Sequence, residues 1–193
     1  PSIKDLPTPT DLLVVAAAAA HLPDIVEQCV RDGMVRSLIV IPGGAGETRD
    51  SKEILQRVKD ILRESRERPD GGPVLLGPNC LGLFNARCGF YSIFTSSVES
   101  GWPPPGRVGI ASQSGAYGTH LFALCRDRGI GTPILVTTGN EADVTVGDVI
   151  GWLAEDPQTD VIVAYLEGIR EKDSLLAGLE AALEGIMARG KAQ

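Results

Sequence analysis

The sequence predicts an α/β protein with two three-layer domains, each built around a parallel sheet. Short apolar runs alternate with longer segments whose apolar residues recur at helical spacing, an order typical of parallel sheets covered by helices. Runs such as Leu12–Ala17 and Val108–Ala111 are continuously apolar, which favours strands buried on both faces. The segment GWPPPG at 101–106 has three consecutive prolines and is expected to be a linker. The predicted domains are therefore 1–100 and 107–193.

Strand and helix alternate in the first predicted domain. The strand Leu12–Ala17 precedes a helix over Leu22–Asp32, which should stop at Gly33. The glycine-rich turn PGGAGET at 42–48 leads into the second helix, for which Ser51 is the expected cap. The remaining predicted elements are the strand Ser37–Ile41, the helix over about 51–66 and the strand Val74–Leu76.

The second predicted domain repeats this alternation. Thr145 and Asp148 have the spacing of a capping box at a helix start. The predicted elements are the strand Val108–Ala111, a helix to about Arg128, the strand Ile134–Thr138, the helix Val146–Glu155, the strand Val161–Leu166 and the helix Ser174–Ala188. Because another strand is expected after the last helix, we expect the chain to be a piece of a longer protein.

The composition of the chain argues against several classes of function. The net charge of −7 and the absence of a Lys/Arg cluster argue against a nucleic-acid surface. No apolar run approaches the roughly 20 residues of a membrane span, and the N-terminus lacks the layout of a secretion signal. The four cysteines have no metal-ligand spacing, so reduced thiols and no metal site are expected. The expected location is the cytoplasm.

The stretch RVGIASQSGAYG at 107–118 predicts a strand, a tight turn and a helix start. The first N–H groups of a helix lack internal partners and lie at the positive end of its dipole, so this turn is a candidate phosphate or carboxylate site. Ser112 and Ser114 could cap the helix or donate to the anion, and Gly115 would let it approach the backbone.

Ligands of open parallel sheets lie beyond the carboxyl ends of the strands. In the second predicted domain this rule adds Asn140 and Glu167 to the anion site, and in the first it gathers 17–21, 43–47 and 77–80. A carboxylate beside an anion site suggests an intervening imidazole, which Glu167 would orient. A solvated acid at a strand end is an equally good interpretation of Glu167 from spacing alone.

A histidine that pairs with Glu167 is not evident in the chain. His21 is expected to start a helix, and His120 lies a turn and a half into one. If an imidazole works at this site, we expect it to come from outside the chain.

Four motifs resemble the NDP-forming acyl-CoA synthetases, relatives of the succinyl-CoA synthetase alpha subunit. They are GPNCLGLFN at 77–85, VGIASQSGAYG at 108–118, GNEADV at 139–144 and DPQTDVIVAYLEGI at 156–169. The segment 1–41 is also similar to the later part of that family's CoA-binding domain. The resemblance implies a partial Rossmann-like CoA-binding domain followed by a flavodoxin-like succinyl-CoA ligase domain.

The resemblance also implies an activity and site roles. Family members make acyl-CoA from a carboxylic acid, CoA and ATP or GTP, through a phosphohistidine that moves between sites. Ser114 and Gly115 would hold the phosphoryl group, and Glu167 would hold the phosphorylated histidine. The residues implied to lie near CoA and the acyl group are Ala17, Ala18, Gly44, Glu47, Asn79 and Cys80.

Other parts of such a ligase would lie outside the chain. The resemblance places there the glycine-rich loop of the CoA domain, the histidine loop, and an ATP-grasp domain or beta subunit that binds the nucleotide with Mg²⁺. The isolated chain should then be inactive, and the whole protein is expected to be an oligomer. Two other functions stay open: a noncatalytic CoA- or anion-binding module, and, more remotely, a serine hydrolase that uses Ser114.

Overall fold

The computed structural model describes residues 3–190, so residues 1, 2 and 191–193 of the predicted domains lie outside the described residues. Strands and helices alternate through most of this range, which confirms the α/β class. The strands are β1 (Thr10–Val15), β2 (Val35–Val40), β3 (Val74–Leu76), β4 (Gly82–Asn85), β5 (Phe90–Ile93), β6 (Val108–Ser112), β7 (Ile134–Thr137) and β8 (Val161–Tyr165). The helices are α1 (Leu22–Asp32), α2 (Arg49–Ser65), α3 (Gly115–Asp127), α4 (Val146–Glu155) and α5 (Lys172–Gly190).

The chain divides into two compact units. The first unit holds the residues up to Cys80 together with Asn140–Val144. Its sheet has the order β1-β2-β3 and is parallel throughout, as predicted. Its core joins Val40 and Leu75 of the sheet to buried residues of α1 and α2. The prediction that Leu12–Ala17 is buried on both faces is wrong, because Val14 of β1 is 49% exposed.

The second unit holds Leu81–Gly139 and the residues from Thr145 onward. Its sheet has the order β5-β4-β7-β6-β8. The strands β6, β7 and β8 are parallel, whereas β4 runs antiparallel to both β5 and β7. The sheet is therefore mixed, because the hairpin β4–β5, which the sequence analysis missed, joins it at one side.

The predicted linker at 101–106 lies inside the second unit. The ring of Trp102 packs edge-on against Phe84, with the ring centroids 5.2 Å apart, and its centroid is 4.3 Å from that of Tyr91. Residues 81–100, which the sequence analysis assigned to the first domain, also belong to the second unit, because β4 hydrogen-bonds to β7.

Helix starts follow local capping rules. The bounds of α1 and α4 are those predicted, and Thr145 and Asp148 form the expected capping box. The prediction of Ser51 as the cap of α2 is wrong: Thr48 is the N-cap, and Ser51 completes its capping box from the third helical position. Among residues 3–190, no helix combines the length and the apolar character needed to cross a membrane.

Candidate functional site

The turn between β6 and α3, residues 112–115, is called the β6–α3 corner. Ser112 ends β6 and is fully buried. Its hydroxyl donates to the Ser114 carbonyl oxygen at 2.7 Å, and its own carbonyl accepts from the Thr138 N–H at 2.8 Å. The Ser112 side chain therefore stabilises the turn from inside, which differs from the predicted contact with an anion.

Ser114 is the N-cap of α3. Its side-chain oxygen accepts from the Tyr117 N–H at 3.3 Å, and its carbonyl accepts from the Gly118 N–H at 2.9 Å. These two bonds leave the N–H groups of Gly115 and Ala116, the first two of the helix, at the positive end of the dipole. This end of α3 has the chemistry of an anion site.

Gly115 is required by protein packing. A Cβ atom at this position would lie 2.6 Å from the Cγ atom of Leu81, far inside van der Waals contact. Close approach of an anion to the backbone was the reason expected for this glycine. The structure gives it a second reason, because Leu81 occupies the space where a side chain would go.

Glu167 lies just beyond the end of β8, the strand that pairs with β6. The β6–β8 ladder ends at the pair Ser112 and Tyr165, and Ser114 and Glu167 come two residues after these. Because the two strands are adjacent and parallel, Glu167 and the β6–α3 corner lie at the same end of the sheet. Its side chain is exposed, and within residues 3–190 its carboxylate has no recorded hydrogen bond or ion pair.

Two stacked tyrosines lie next to the β6–α3 corner. Tyr117, in the first turn of α3, stacks on Tyr165 at the end of β8, with ring centroids 4.1 Å apart and an angle of 29° between the rings. Tyr117 is 43% exposed. The pair forms a partly exposed aromatic surface next to the corner, which sequence reasoning did not anticipate.

The first unit has its own cluster of polar groups at the strand ends. The carboxylate of Glu47 accepts from the Gly44 N–H at 3.0 Å through one oxygen and from the Asn140 amide at 2.8 Å through the other. Glu47 thus closes the 43–47 loop on itself. Asn79, exposed and at positive φ, lies beside this loop, with its side-chain oxygen 3.1 Å from where a Gly43 Cβ would be.

The predicted place of Asn140 in the phosphate site of the second domain is not supported by the structure. Asn140 belongs to the first unit and is 7% exposed. Its amide nitrogen donates to the Ala45 carbonyl oxygen at 2.6 Å as well as to Glu47, and its N–H donates to the Pro78 carbonyl. The side chain therefore supports the 43–47 loop instead of joining Ser114.

The remaining residues predicted to contact CoA differ in how far their side chains are exposed to solvent. Ala17 and Ala18 follow the carboxyl end of β1, where Ala18 is exposed and Ala17 is partly buried against the core. Cys80 is 1% exposed, and its thiol donates to the Val40 carbonyl at 3.4 Å. The Cys80 side chain therefore faces the interior, and Asn79 presents the polar side chain at the end of β3.

Sequence reasoning also missed Gln113, the residue between the two serines of the corner. It is 3% exposed, and its side chain hydrogen-bonds to the backbone of Glu167 and Gly168. The only sequence signal was a polar residue at the end of a buried strand, which does not reveal the partner.

The fold of the second unit is that of a known class of domain. Residues 105–185 match the family model described as the succinyl-CoA ligase like flavodoxin domain. Over most of its length the chain is also similar to proteins named as ADP-forming CoA ligases.

Several particular relatives are ADP-forming acetate–CoA ligases. The ADP-forming acetate–CoA ligase I from Archaeoglobus fulgidus is 33% identical over 89% of this chain and 24% of its own length. The one from Methanocaldococcus jannaschii is 29% identical over 89% of this chain and 23% of its own length. The chain thus spans about a quarter of the length of these curated relatives.

A solved structure has the same fold. The dinucleotide forming acetyl-coenzyme A synthetase 1 of Ca. Korarchaeum cryptofilum, in complex with phosphate and ADP, superposes with a TM-score of 0.76 at 27% identity. The match covers 96% of this chain and 37% of that one.

Proposed function

We propose that this chain is part of a ligase that converts a small carboxylic acid, CoA and ATP or GTP into acyl-CoA, nucleoside diphosphate and phosphate. In this proposal a phosphohistidine on another segment carries the phosphoryl group. The observation that carries the proposal is that an exposed acid, Glu167, and the start of α3 at Gly115 follow the carboxyl ends of two adjacent parallel strands, β8 and β6.

Each group in the corner has a defined role in this proposal. The N–H groups of Gly115 and Ala116, with the Ser114 hydroxyl, bind the phosphoryl oxygens. The Glu167 carboxylate accepts from one imidazole N–H, which fixes the tautomer and leaves the other ring nitrogen to carry the phosphoryl group. The N–H groups balance the phosphoryl charge, so the acid and the anion can share one site.

The first unit is proposed to bind CoA and the acyl group. The support is the set of strand-end residues Ala18, Gly44 and Asn79, which are exposed at one end of a parallel sheet. The relatives named as acetate–CoA ligases support CoA as the co-substrate. The nature of the acid would be set by the pocket around these residues.

The nucleotide, its Mg²⁺ and the histidine are proposed to be held by parts outside the chain. The support is the short coverage of the relatives, one of which, from Pyrococcus furiosus, is named as the alpha subunit of such a ligase. An ATP-grasp domain or beta subunit is the proposed partner, within an oligomer in the cytoplasm. The isolated chain is proposed to be inactive.

Product analysis of the full-length gene product tests this function. We expect formation of acyl-CoA from CoA, Mg-ATP or Mg-GTP and one of a panel of small carboxylates, with one nucleoside diphosphate and one phosphate released per thioester. Release of AMP and pyrophosphate, or no thioester with any acid, would contradict the proposal.

The other two functions have weaker support. The Ser114 oxygen accepts from a backbone N–H, and no histidine within residues 3–190 is hydrogen-bonded to Ser114. Labelling of Ser114 by a fluorophosphonate probe would revive the hydrolase. Tight binding of CoA to this chain alone, measured by calorimetry, would favour a noncatalytic module.

A further inference from the structure

Gln113 lies in the β6–α3 corner, but its side chain is directed to the end of β8. Its amide oxygen accepts from the Glu167 N–H at 2.7 Å and from the Gly168 N–H at 3.1 Å. Its amide nitrogen donates to the Gly168 carbonyl oxygen at 2.8 Å. One buried side chain therefore holds three backbone groups that lie about fifty residues further along the chain.

The backbone of Gln113 also hydrogen-bonds to residues at the ends of the two neighbouring strands. Its N–H donates to the Tyr165 carbonyl at 2.9 Å, and its own carbonyl accepts from the Gly139 N–H at 3.1 Å. The regular β6–β8 pairing ends at Ser112 and Tyr165. Gln113 thus continues this ladder, first with its main chain and then with its amide side chain, which supplies a donor and an acceptor as a peptide group does.

Packing contributes little to the position of residues 167–170, the segment that Gln113 holds. Residues 167–170 are all exposed, and α5 starts only at Lys172. A Cβ at Gly168 would meet nothing within 4 Å, so packing does not fix the chain there. The three bonds from Gln113 therefore set the position of the Glu167 backbone, while the Glu167 carboxylate stays exposed.

We propose that Gln113 is a positioning residue for Glu167, which it holds beside the start of α3 through the backbone of residues 167 and 168. The inference rests on the function proposed above, because it assigns to Gln113 the task of aligning the acid that receives the imidazole. Displacement of a catalytic group by even 1 Å can cost orders of magnitude in rate. A buried amide with three partners is suited to prevent such a displacement.

Two substitutions in the full-length protein separate positioning from general stability. Gln113→Met keeps the length of the side chain and removes all three hydrogen bonds. Gln113→Glu keeps the shape and an oxygen that can accept from both N–H groups, but an ionised carboxylate cannot donate to the Gly168 carbonyl, whereas a protonated one can. The control is Leu153→Ala, which perturbs the core of the same unit where α4 packs on Gly109, near the start of β6 and at the opposite end of that strand from the corner.

The measured quantity is the rate of phosphoenzyme formation from labelled ATP between pH 8 and pH 5.5. For Gln113→Met we expect a loss of about tenfold or more at every pH, since a mispositioned group costs at least the equivalent of one hydrogen bond. For Gln113→Glu we expect a similar loss at pH 8 that shrinks as the pH falls, because burial raises carboxyl pKa values and protonation restores the donor. The apparent KM for ATP should stay unchanged in both.

The outcomes distinguish this inference from the proposed function. Glu167→Gln is assayed in parallel: if it forms phosphoenzyme at the normal rate, the proposed role of Glu167 fails. If Glu167→Gln is inactive while Gln113→Met equals wild type, only the inference about Gln113 fails. Equal losses in Leu153→Ala and Gln113→Met, or a Gln113→Glu deficit that does not change with pH, would also overturn it.

Discussion

Polar residues that follow the strands have opposite roles in the two units. In the first unit, Glu47 and Asn140 bond to each other and to the 43–47 loop, so their side chains complete a local network. In the second unit, the backbone of Glu167 is held by Gln113, and its carboxylate remains exposed. The comparison shows that a polar residue at a strand end can either support the backbone or be presented by it.

This difference assigns different chemistry to the two sites. Each oxygen of the Glu47 carboxylate already accepts a hydrogen bond that fixes it to its own loop, whereas the Glu167 carboxylate has both oxygens available for a new donor. We therefore assign proton and phosphoryl chemistry to the second unit, and binding of CoA, through backbone shape and Asn79, to the first. The predictions below test this division.

The largest expected effect is that of Glu167→Gln in the full-length protein. The neutral amide cannot stabilise an imidazolium or fix the tautomer in the same way, so acyl-CoA formation should fall by about 100-fold or more. The matched control is Glu155→Gln, an exposed acid at the C-terminal end of α4. Equal rates for the two variants would remove the distinction between Glu167 and an ordinary surface carboxylate.

Gly115→Ala should destabilise the second unit. The added methyl group would lie 2.6 Å from Leu81, and overpacking of this kind costs about 1–3 kcal/mol. Urea unfolding measures the change, with Gly168→Ala as the control, because a Cβ there meets nothing within 4 Å. Recovery of stability in the Leu81→Ala, Gly115→Ala double variant would identify the clash as the cause, and an unaltered midpoint in the single variant would refute it.

Asn140→Ala should loosen the 43–47 loop. The Ala45 carbonyl and Glu47 each lose a donor, at a cost of about 1–2 kcal/mol. Hydrogen exchange should become faster at the Gly44 N–H, which Glu47 holds, whereas the N–H of Glu167 should keep its protection. Loss of protection at Glu167 alone would place Asn140 functionally with the second unit after all.

The smallest expected effect concerns thiol reactivity. Burial raises the pKa of the Cys29 thiol to about 11, whereas Cys88 is exposed. At pH 8, iodoacetamide should therefore modify Cys88 first and leave Cys29 and Cys80 unmodified until the protein unfolds. Peptide mass spectrometry of the native protein checks the order, and early labelling of Cys29 would contradict the burial of that helix face.

The sequence predicted the regular elements of the parallel sheets well. The bounds of α1, β3 and α4 are the predicted ones, because each has a continuous or periodic apolar pattern with clear stop signals. The hairpin β4–β5 was missed because GLFN at 82–85 is short and because β4 joins the sheet by pairing with β7, where Leu83 lies opposite Val136. The linker was misplaced because prolines mark an irregular backbone but do not reveal that Trp102 packs on Phe84.

The site was only partly predictable for a related reason. Ser114 and Glu167 follow from strand ends, which a sequence reveals through local patterns. The roles of Gln113 and Asn140 depend on which backbone groups lie within reach of their amides, and those partners are more than fifty residues away. No periodicity or spacing encodes such contacts.

The most direct test of the central claim is detection of the phosphoryl intermediate. The full-length protein is incubated with γ-labelled ATP, freed of nucleotide, and its bound label is tested for stability in acid and in base. The account predicts acid-labile, base-stable label that is discharged by CoA together with the acid substrate, and that is formed poorly by Glu167→Gln. Wild-type protein that turns over substrate without acquiring such label would contradict it.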